Sequence, residues 1–271
     1  METSRERTRR ELVARITDTA RRQLAEVGPA QLSLRAVARE LGLASSALYR
    51  YFPSRDALLT ALITEAYDAL GEAAEHAAGP GTAAPPPAYA ASGQLAAEVP
   101  RLAPDGAGAR WANICRGCRT WALAHPHEFA LLYGSPVPGY VAPQTTAGPA
   151  TRVTRLMAEV LRDALAAGEL TAPRQPVPGL PLVTGTTREF VDVDLPAPYD
   201  DLIERSLVMW VVLIGALTFE LFGHLEQVVT DHTAWFDAAM SVAAEGVGLH
   251  VPMHPPSIGS GSRCRSSKLT L

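Results

Sequence analysis

Helix-stopping residues divide the first 70 residues into four short amphipathic segments. Gly28-Pro29, Gly42 and Pro53-Ser54 interrupt the pattern, because glycine and proline end helices and serine caps the next one. Between these stops, apolar residues recur at the three- and four-residue spacing of a helix face. The spacing predicts helices over about 9–27, 33–41, 45–52 and 54–75.

The rest of the chain continues the helical pattern, and we find no strand-period segment long enough to predict a strand. The sequence therefore predicts an all-α fold. Further helices are expected near 107–124, 151–167, 199–222 and 231–248, with a weak one at 88–100 and a short apolar turn at 128–133. Segments rich in proline and glycine predict loops at 79–87, 134–149 and 168–198. We predict a helix-turn-helix domain over 1–53, a larger helical domain over 54–250, and a disordered tail within 251–271.

Charge is divided unevenly along the chain. The whole chain carries 24 Lys and Arg against 28 Asp and Glu. Residues 1–60 hold 11 of the basic and 7 of the acidic residues, a net charge of +4, so the remainder has a net charge of −8. The amino-terminal quarter is therefore suited to face a polyanion, which the acidic remainder would repel.

Cysteine usage and hydropathy predict a cytoplasmic protein without a membrane partner. Three cysteines are an odd number, which argues against a disulfide framework and for a reducing compartment. The first ten residues are polar, so no signal peptide is expected. The most apolar run, 207–222, is interrupted by Gly215 and Glu220 and is shorter than the ~20 residues of a membrane span.

Residues 32–52 have the pattern of a helix-turn-helix. Ala38 allows two short helices to approach closely, and the second helix can then project from the domain. Its exposed residues are small at the start and aromatic or basic later: Ser45, Ser46, Ala47, Tyr49, Arg50 and Tyr51. A major groove ~12 Å wide admits such a helix, and the last three side chains can reach phosphates. The alternative is a helical hairpin inside an ordinary bundle, against which the 11 arginines of residues 1–60 argue.

These residues resemble the DNA-binding domain of TetR-type transcriptional regulators. The resemblance covers about residues 8–70 and depends on three motifs at the family's spacing. They are Ala36-Val37-Ala38 followed by Leu41-Gly42, then Leu48-Tyr49 with Phe52, and the Leu58-Leu59 pair. Ser33 stands where the family usually has Thr, and Tyr51 where it commonly has His.

The resemblance implies a homodimer that binds a palindromic DNA operator, usually as a repressor, and is released by a small-molecule effector. By position, Ser33, Tyr49 and Arg55 would contact phosphates. Ser45, Ser46, Ala47 and Arg50 would lie nearest the bases. Arg55 stands where Lys is usual and can bind phosphate through its fork. A salt bridge on the fourth helix is the alternative role for Arg55.

The carboxy-terminal part is similar to the effector domain of an actinobacterial TetR subgroup named for a Trp…His-Gly motif. The similarity rests on residues 121–134 and 210–222. Trp210 and Gly215 are in place, but Ile214 occupies the His position. Any role of the family's histidine therefore does not carry over.

Two sets of apolar residues are candidates for ligand binding and dimerisation. An apolar cavity between two helices would suit a small, flat, hydrophobic effector, although the same residues could equally be core. This first set comprises Trp111, Cys115, Cys118, Trp121, Met209, Trp210 and Leu213. The last two helices carry more apolar surface than one core needs, which a two-fold interface would bury. This second set includes Leu217, Leu221, Phe222, Trp235, Phe236, Ala239 and Val242.

Cys115 and Cys118 form a Cys-x-x-Cys with His125 and His127 just beyond, which could be drawn as a zinc site. We favour two small core side chains, because a single pair within a predicted helix is a weak zinc signal. No nucleophile with a positioned base is visible, so we predict no enzyme activity, metal or cofactor. Two alternatives stay open: a thiol- or metal-dependent enzyme, and a DNA-binding protein without an effector.

Overall fold

The computed structural model describes residues 3–79, 106–191 and 195–252. Within these ranges the regular elements are helices, apart from an isolated antiparallel bridge between Leu170 and Leu249. The predicted all-α fold is confirmed. The helices are α1 (Ser4–Val27), α2 (Leu34–Glu40), α3 (Ser45–Tyr49), α4 (Arg55–Ala78), α5 (Ala107–Ala124), α6 (Pro126–Tyr133), α7 (Ala147–Ala150), α8 (Arg152–Ala167), α9 (Gly185–Val191), α10 (Leu202–Leu221) and α11 (His232–Glu245).

The described residues form two hydrophobic cores that share α4. The first half of α4 places Leu58, Leu59 and Leu62 in a core with α1, α2 and α3, which we call the head. Its second half places Leu70 and Ala74 in a core with α5, α8, α10 and α11, which we call the body. The predicted boundary at residue 54 coincides with the N-cap of α4, and the division into domains stays a prediction.

Several helix ends differ from the sequence prediction for local reasons. α1 begins at Ser4 rather than near residue 9, because Thr3 and Glu6 form a capping box. α3 ends at Tyr49 rather than Phe52, since the chain turns where the Tyr51 and Phe52 amides both donate to the Leu48 carbonyl. Residues 128–133, predicted as a turn, belong to the helix α6, which Pro126 begins. α9 is a short helix within the predicted loop 168–198. The predicted helix 88–100 and residues 253–271 of the predicted tail lie outside the described residues. Val251, at the start of that tail, is buried in the body core.

Bidentate ion pairs from arginines fasten the body helices to one another. Arg152 of α8 donates through Nε and Nη2 to Glu75 of α4, at 3.0 and 2.7 Å. Arg116 of α5 binds Asp237 of α11 in the same way, at 3.0 and 2.7 Å. These forked contacts fix the relative rotation of the helices as well as their spacing.

The helix α10 is long and apolar enough to cross a membrane by length and composition, with a mean hydropathy of 1.8. This corrects the expectation that the run is too short, because the helix extends further toward its amino end, from Leu202 to Leu221. One side of α10 nevertheless packs in the body core through Met209, Leu213 and Leu217. A long apolar helix in a protein core can have the same length and hydropathy as a membrane span, so these two properties of α10 do not by themselves indicate a membrane span.

Candidate functional site

The turn between α2 and α3 holds α3 at a fixed angle on the head. Gly42 has φ +66°, a left-handed conformation that favours glycine. The Leu43 amide donates to the Ala38 carbonyl at 2.9 Å, which closes the turn. Val37, Ala38 and Leu48 are fully buried between the helices. The short helix α3 is therefore positioned by its buried side, as the sequence predicts.

The opposite side of α3 faces solvent. Ser46, Tyr49 and Arg50 are exposed, and Ser45 and Ala47 are half-buried. Within the described ranges, neither the Tyr49 hydroxyl nor the Arg50 guanidinium has a hydrogen-bond or ion-pair partner. This surface combines small residues at its leading end with free donors behind them, which suits contact with base edges and phosphates.

The other predicted DNA-contacting residues lie at the edges of this surface. Ser33 is half-buried at the N-cap of α2, and its side chain makes no capping hydrogen bond. Tyr51 is half-buried against the head core. Their roles toward DNA stay predictions.

Arg55 is already engaged within the head. Its Nη2 donates to the Pro29 carbonyl at 2.6 Å and to the Ala30 carbonyl at 3.3 Å. Its Nη1 lies 3.7 Å from Asp56. These contacts tie the turn after α1 to the start of α4 and favour a structural role over phosphate binding.

The head and the body meet through α4 and α6. Leu131 of α6 packs in the head core, while Phe129 of the same helix packs in the body core. Arg21 of α1 binds Glu65 of α4, and its Nε lies 3.2 Å from Glu128 of α6. Burial raises the pKa of Glu65, and the Arg21 charge opposes that rise. The sequence pattern did not single out this junction, since its three charged residues lie far apart along the chain.

The predicted ligand-binding residues come together in the body core. Trp111, Cys115 and Leu213 are fully buried there, with Cys118, Trp121, Met209 and the partly buried Trp210. The Trp111 Nε1 donates to the Met240 carbonyl at 3.0 Å, which gives that ring a structural role. A cavity of about 30 Å³ lies elsewhere, between α8 and α10, and is small beside the ~300–1,000 Å³ of typical ligand sites.

An aromatic cluster joins α4, α6 and α10 beside these residues. The Tyr133 ring lies 6.0 Å from Tyr67, 5.1 Å from Phe129 and 5.9 Å from Trp210 between centroids. Burial raises the pKa of both tyrosines, so both stay protonated donors at neutral pH. The buried Nε1 of Trp121 has no hydrogen-bond partner among the described residues. Sequence spacing did not identify Tyr67 or Tyr133, because only the tertiary contacts bring these rings together.

The two core cysteines are poorly suited to thiolate chemistry. Cys115 and Cys118 are buried, and burial raises both thiol pKa values, that of Cys118 to about 12. A nucleophile or zinc ligand needs the thiolate. His125 and His127 are exposed at and beyond the end of α5. In the part of the chain that the structure describes, no three His, Cys, Asp or Glu residues form a metal-binding group.

The predicted dimer residues divide into buried and exposed ones. Leu217 and Phe236 are each 1% exposed inside the body core, so their side chains are not available to a second protomer and this part of the prediction is corrected. Phe222 and Val242 are exposed, whereas Leu221, Trp235 and Ala239 are half-buried. The exposed face also includes Leu207 and Val211, which belong to the surplus apolar surface of the last two helices, and Val208 and Phe219, which the sequence pattern did not single out.

Comparisons with known proteins agree with this architecture along most of the chain. Residues 16–62 match the family model for bacterial regulatory proteins of the tetR family, and residues 111–243 match that for the tetracyclin repressor-like C-terminal domain. The HTH-type transcriptional regulators Rv1816 of Mycobacterium tuberculosis and Mb1846 of Mycobacterium bovis are each 36% identical over 239 residues, which is 85% of this chain and 89% of theirs.

Solved structures show the same fold. That of the protein SCO4313 is 31% identical with a TM-score of 0.62, covering 90% of this chain and all of the other. A Rhodococcus protein of unknown function has a TM-score of 0.56 at 24% identity, over 86% of this chain and 91% of its own. The helix-turn-helix head, the helical body and these relatives together establish that the chain belongs to the tetR family of DNA-binding transcriptional regulators, which are not enzymes.

Proposed function

We propose that the protein is a ligand-responsive repressor of the cytoplasm. A homodimer would bind a palindromic operator through α3, and a small hydrophobic effector in the body would release it. The observation that carries the proposal is the solvent-facing surface of α3, with Tyr49 and Arg50 free of partners among the described residues. The fully buried Leu48 holds this surface in place from behind.

The exposed apolar face of α10 and α11 supports a two-fold pair of protomers. Val208, Val211 and Phe219 are 62%, 64% and 53% exposed, and Val242 of α11 is 68% exposed. Apolar side chains at such spacing form a stripe that an isolated protomer leaves in water. Isologous pairing of this stripe would bury it and present two α3 helices to half-sites ~34 Å apart.

The aromatic cluster supports an effector site in the body. Tyr133, Trp210 and the unpartnered Nε1 of Trp121 offer ring faces and a donor to a flat apolar compound carrying an acceptor. Because Tyr67 of α4 and Tyr133 of α6 belong to the same cluster, such a ligand would shift the helices that join body to head. A coupling of ~1–3 kcal/mol would change operator affinity ~5–150-fold.

The α3 assignment is tested by binding to the DNA that flanks the protein's own gene. We expect wild type to prefer this DNA to a mixed-sequence duplex of equal length, with affinity that falls as salt rises. Tyr49→Ala should weaken binding by about 10- to 100-fold, since each protomer loses a phosphate contact. Tyr49→Phe keeps the ring, so the affinity of this variant gives the contribution of the hydroxyl alone to DNA binding. Equal binding of wild type and Tyr49→Ala at every salt concentration would exclude the assigned role.

The second candidate is an operator-binding protein without an effector, which the close packing of Trp111, Cys115 and Leu213 favours. A screen of hydrophobic small molecules for operator release separates the two. For the proposed repressor, we expect a compound that weakens operator binding ~5–150-fold. Trp210→Leu should reduce that compound's potency while operator affinity without it stays unchanged. Operator affinity that no compound alters would support the second candidate.

A further inference from the structure

The head is joined to the body by one continuous helix and by contacts beside that helix. α4 runs from Arg55 to Ala78 and contributes to both cores. Relative motion is the default for two packed units that share one connection, unless a further interface holds them. In the described residues, α6 and the loop after it supply such an interface on the head. We call residues 128–140 the brace.

The apolar part of the brace holds it against the head without fixing a direction. Leu131 is buried in the head core, and Val137 and Tyr140 pack on that core. The Tyr140 hydroxyl lies 3.0 Å from the Thr60 hydroxyl of α4. Apolar contact is non-directional, and Thr60 belongs to the helix that already joins head and body. These contacts therefore leave the orientation of α1, and of the helices packed with it, to be set by another interaction.

Arg21 of α1 supplies a directional contact to the brace. Its Nη1 lies 2.5 Å from Asp18 of the same helix, and its Nη2 binds Glu65 of α4. Its Nε lies 3.2 Å from an oxygen of Glu128 in the first turn of α6. The guanidinium is planar and its donors point in fixed directions. The carboxylates bound to it therefore fix α1 relative to α4 and α6 at the same time.

Burial makes the Arg21–Glu128 contact stronger than the neighbouring ion pair on α1. The Arg21 and Glu128 side chains are 16% and 18% exposed, so water and salt screen their attraction only in part. The next residue, Arg22, binds Glu40 of α2 at 2.9 Å, but both of these side chains are exposed, and exposed pairs contribute little. α1 therefore carries a mostly buried link to the body beside an exposed link inside the head.

We propose that the Arg21–Glu128 contact determines which spacing between operator half-sites the protein accepts. The inference rests on the proposed two-fold operator binding and names the residues that set the angle of each head. Each additional base pair between the half-sites moves one of them by about 3.4 Å and rotates it by ~35° about the DNA axis. A head held at one angle matches one spacing, whereas a head free to turn on α4 accepts several. Arg21 and Glu128 are positioning residues, which set the place of α3 without touching DNA.

The test measures operator affinity at different half-site spacings. Footprinting of wild type on the DNA that flanks the protein's own gene defines the half-sites, and synthetic duplexes then place them one or two base pairs further apart. The spacing preference is the affinity for the natural spacing divided by that for the altered spacing. With an ordinary coupling free energy, we expect a preference of ~5–150-fold for wild type and of less than about 3-fold for Glu128→Ala. This ratio cancels the general rise in DNA attraction that removal of a negative charge produces.

Two further variants separate a positioning role from a general loss of stability. Glu128→Gln keeps an acceptor oxygen for the Arg21 guanidinium but loses the charge, so its preference should lie between those of wild type and Glu128→Ala. Glu40→Ala is the matched control, because it removes the same charge and breaks the exposed pair with Arg22 inside the head. It should keep the wild-type preference. Circular dichroism and thermal unfolding show which variants fold, and Glu128→Gln decides the question if Glu128→Ala does not.

Each result decides one of two proposals. If a folded Glu128 variant keeps the full wild-type preference, or if Glu40→Ala loses it as well, the spacing proposal is wrong and operator binding stands. The same conclusion follows if wild type prefers the flanking DNA but accepts every spacing equally. If wild type does not distinguish the flanking DNA from a mixed-sequence duplex, operator binding fails, and the spacing proposal fails with it.

Discussion

Replacing Val211 with Asp is expected to convert the protein to a monomer that binds its operator at least about 100-fold more weakly. Val211 is 64% exposed near the middle of α10, between Leu207 and Phe219. In the proposed dimer, the two-fold axis would bury two unpaired carboxylates in an apolar interface, each costing several kcal/mol. A single head then loses the second half-site, and with it at least the ~2.7 kcal/mol that a 100-fold change represents.

Val141→Asp is the matched control, because Val141 is 86% exposed in the loop before α7, next to Tyr140, which packs on the head core. The Val141→Asp variant adds the same charge, and we expect it to remain a dimer in solution with unchanged operator affinity. Light scattering after gel filtration gives the mass, and a titration at constant salt gives the affinity. A Val211→Asp protein that remains dimeric would show that protomers pair through another surface.

Replacing Glu220 with Ala is expected to destabilise the body by about 3 kcal/mol, the lower end of the range for breaking a buried ion pair. Glu220 of α10 is 9% exposed and accepts from Arg119 Nε at 2.8 Å and Nη2 at 2.5 Å. Arg119 also donates to Thr233 at 3.2 Å, and its guanidinium carbon lies 5.4 Å from the centre of the Phe236 ring. Without Glu220, the guanidinium keeps its charge and loses its main partner.

The loss should lower the midpoint of thermal unfolding by about 6–12 °C. Asp163→Ala breaks the surface pair with Arg110, in which Asp163 is 60% exposed, and should cost under ~1 kcal/mol. Arg119→Met/Glu220→Leu should recover much of the stability, because no charge is then left unpaired. If Glu220→Ala is as mild as Asp163→Ala, the pair contributes little and packing alone holds α5 to α10.

Sequence patterns identified the head because its information is local. The stops at Gly28-Pro29, Gly42 and Pro53-Ser54 and the apolar spacing between them predict α1 to α4 without knowledge of the rest of the chain. Errors arose where a cap or a turn overrides periodicity. The Thr3–Glu6 capping box lengthens α1, and the turn at Tyr51 shortens α3.

The body was harder to interpret because apolar residues look alike in sequence. Leu217 and Phe236 were assigned to the dimer interface with Val242, yet only Val242 of these three is exposed. A helix that is apolar on most sides does not reveal which side packs in its own core. The cluster of Tyr67, Tyr133 and Trp210 likewise joins residues 143 positions apart in the chain.

By itself, the sequence determined the helical class, the helix-turn-helix and the basic head, because helix periods, stop residues and charge are properties of neighbouring residues. Only the tertiary structure decided which apolar residues are core and which face outward, and that Arg55 is bound to the Pro29 carbonyl while Arg21 joins α1 to Glu128 of α6. The physical reason is that burial and pairing depend on long-range packing between α4, α5, α6, α10 and α11, which no local spacing specifies.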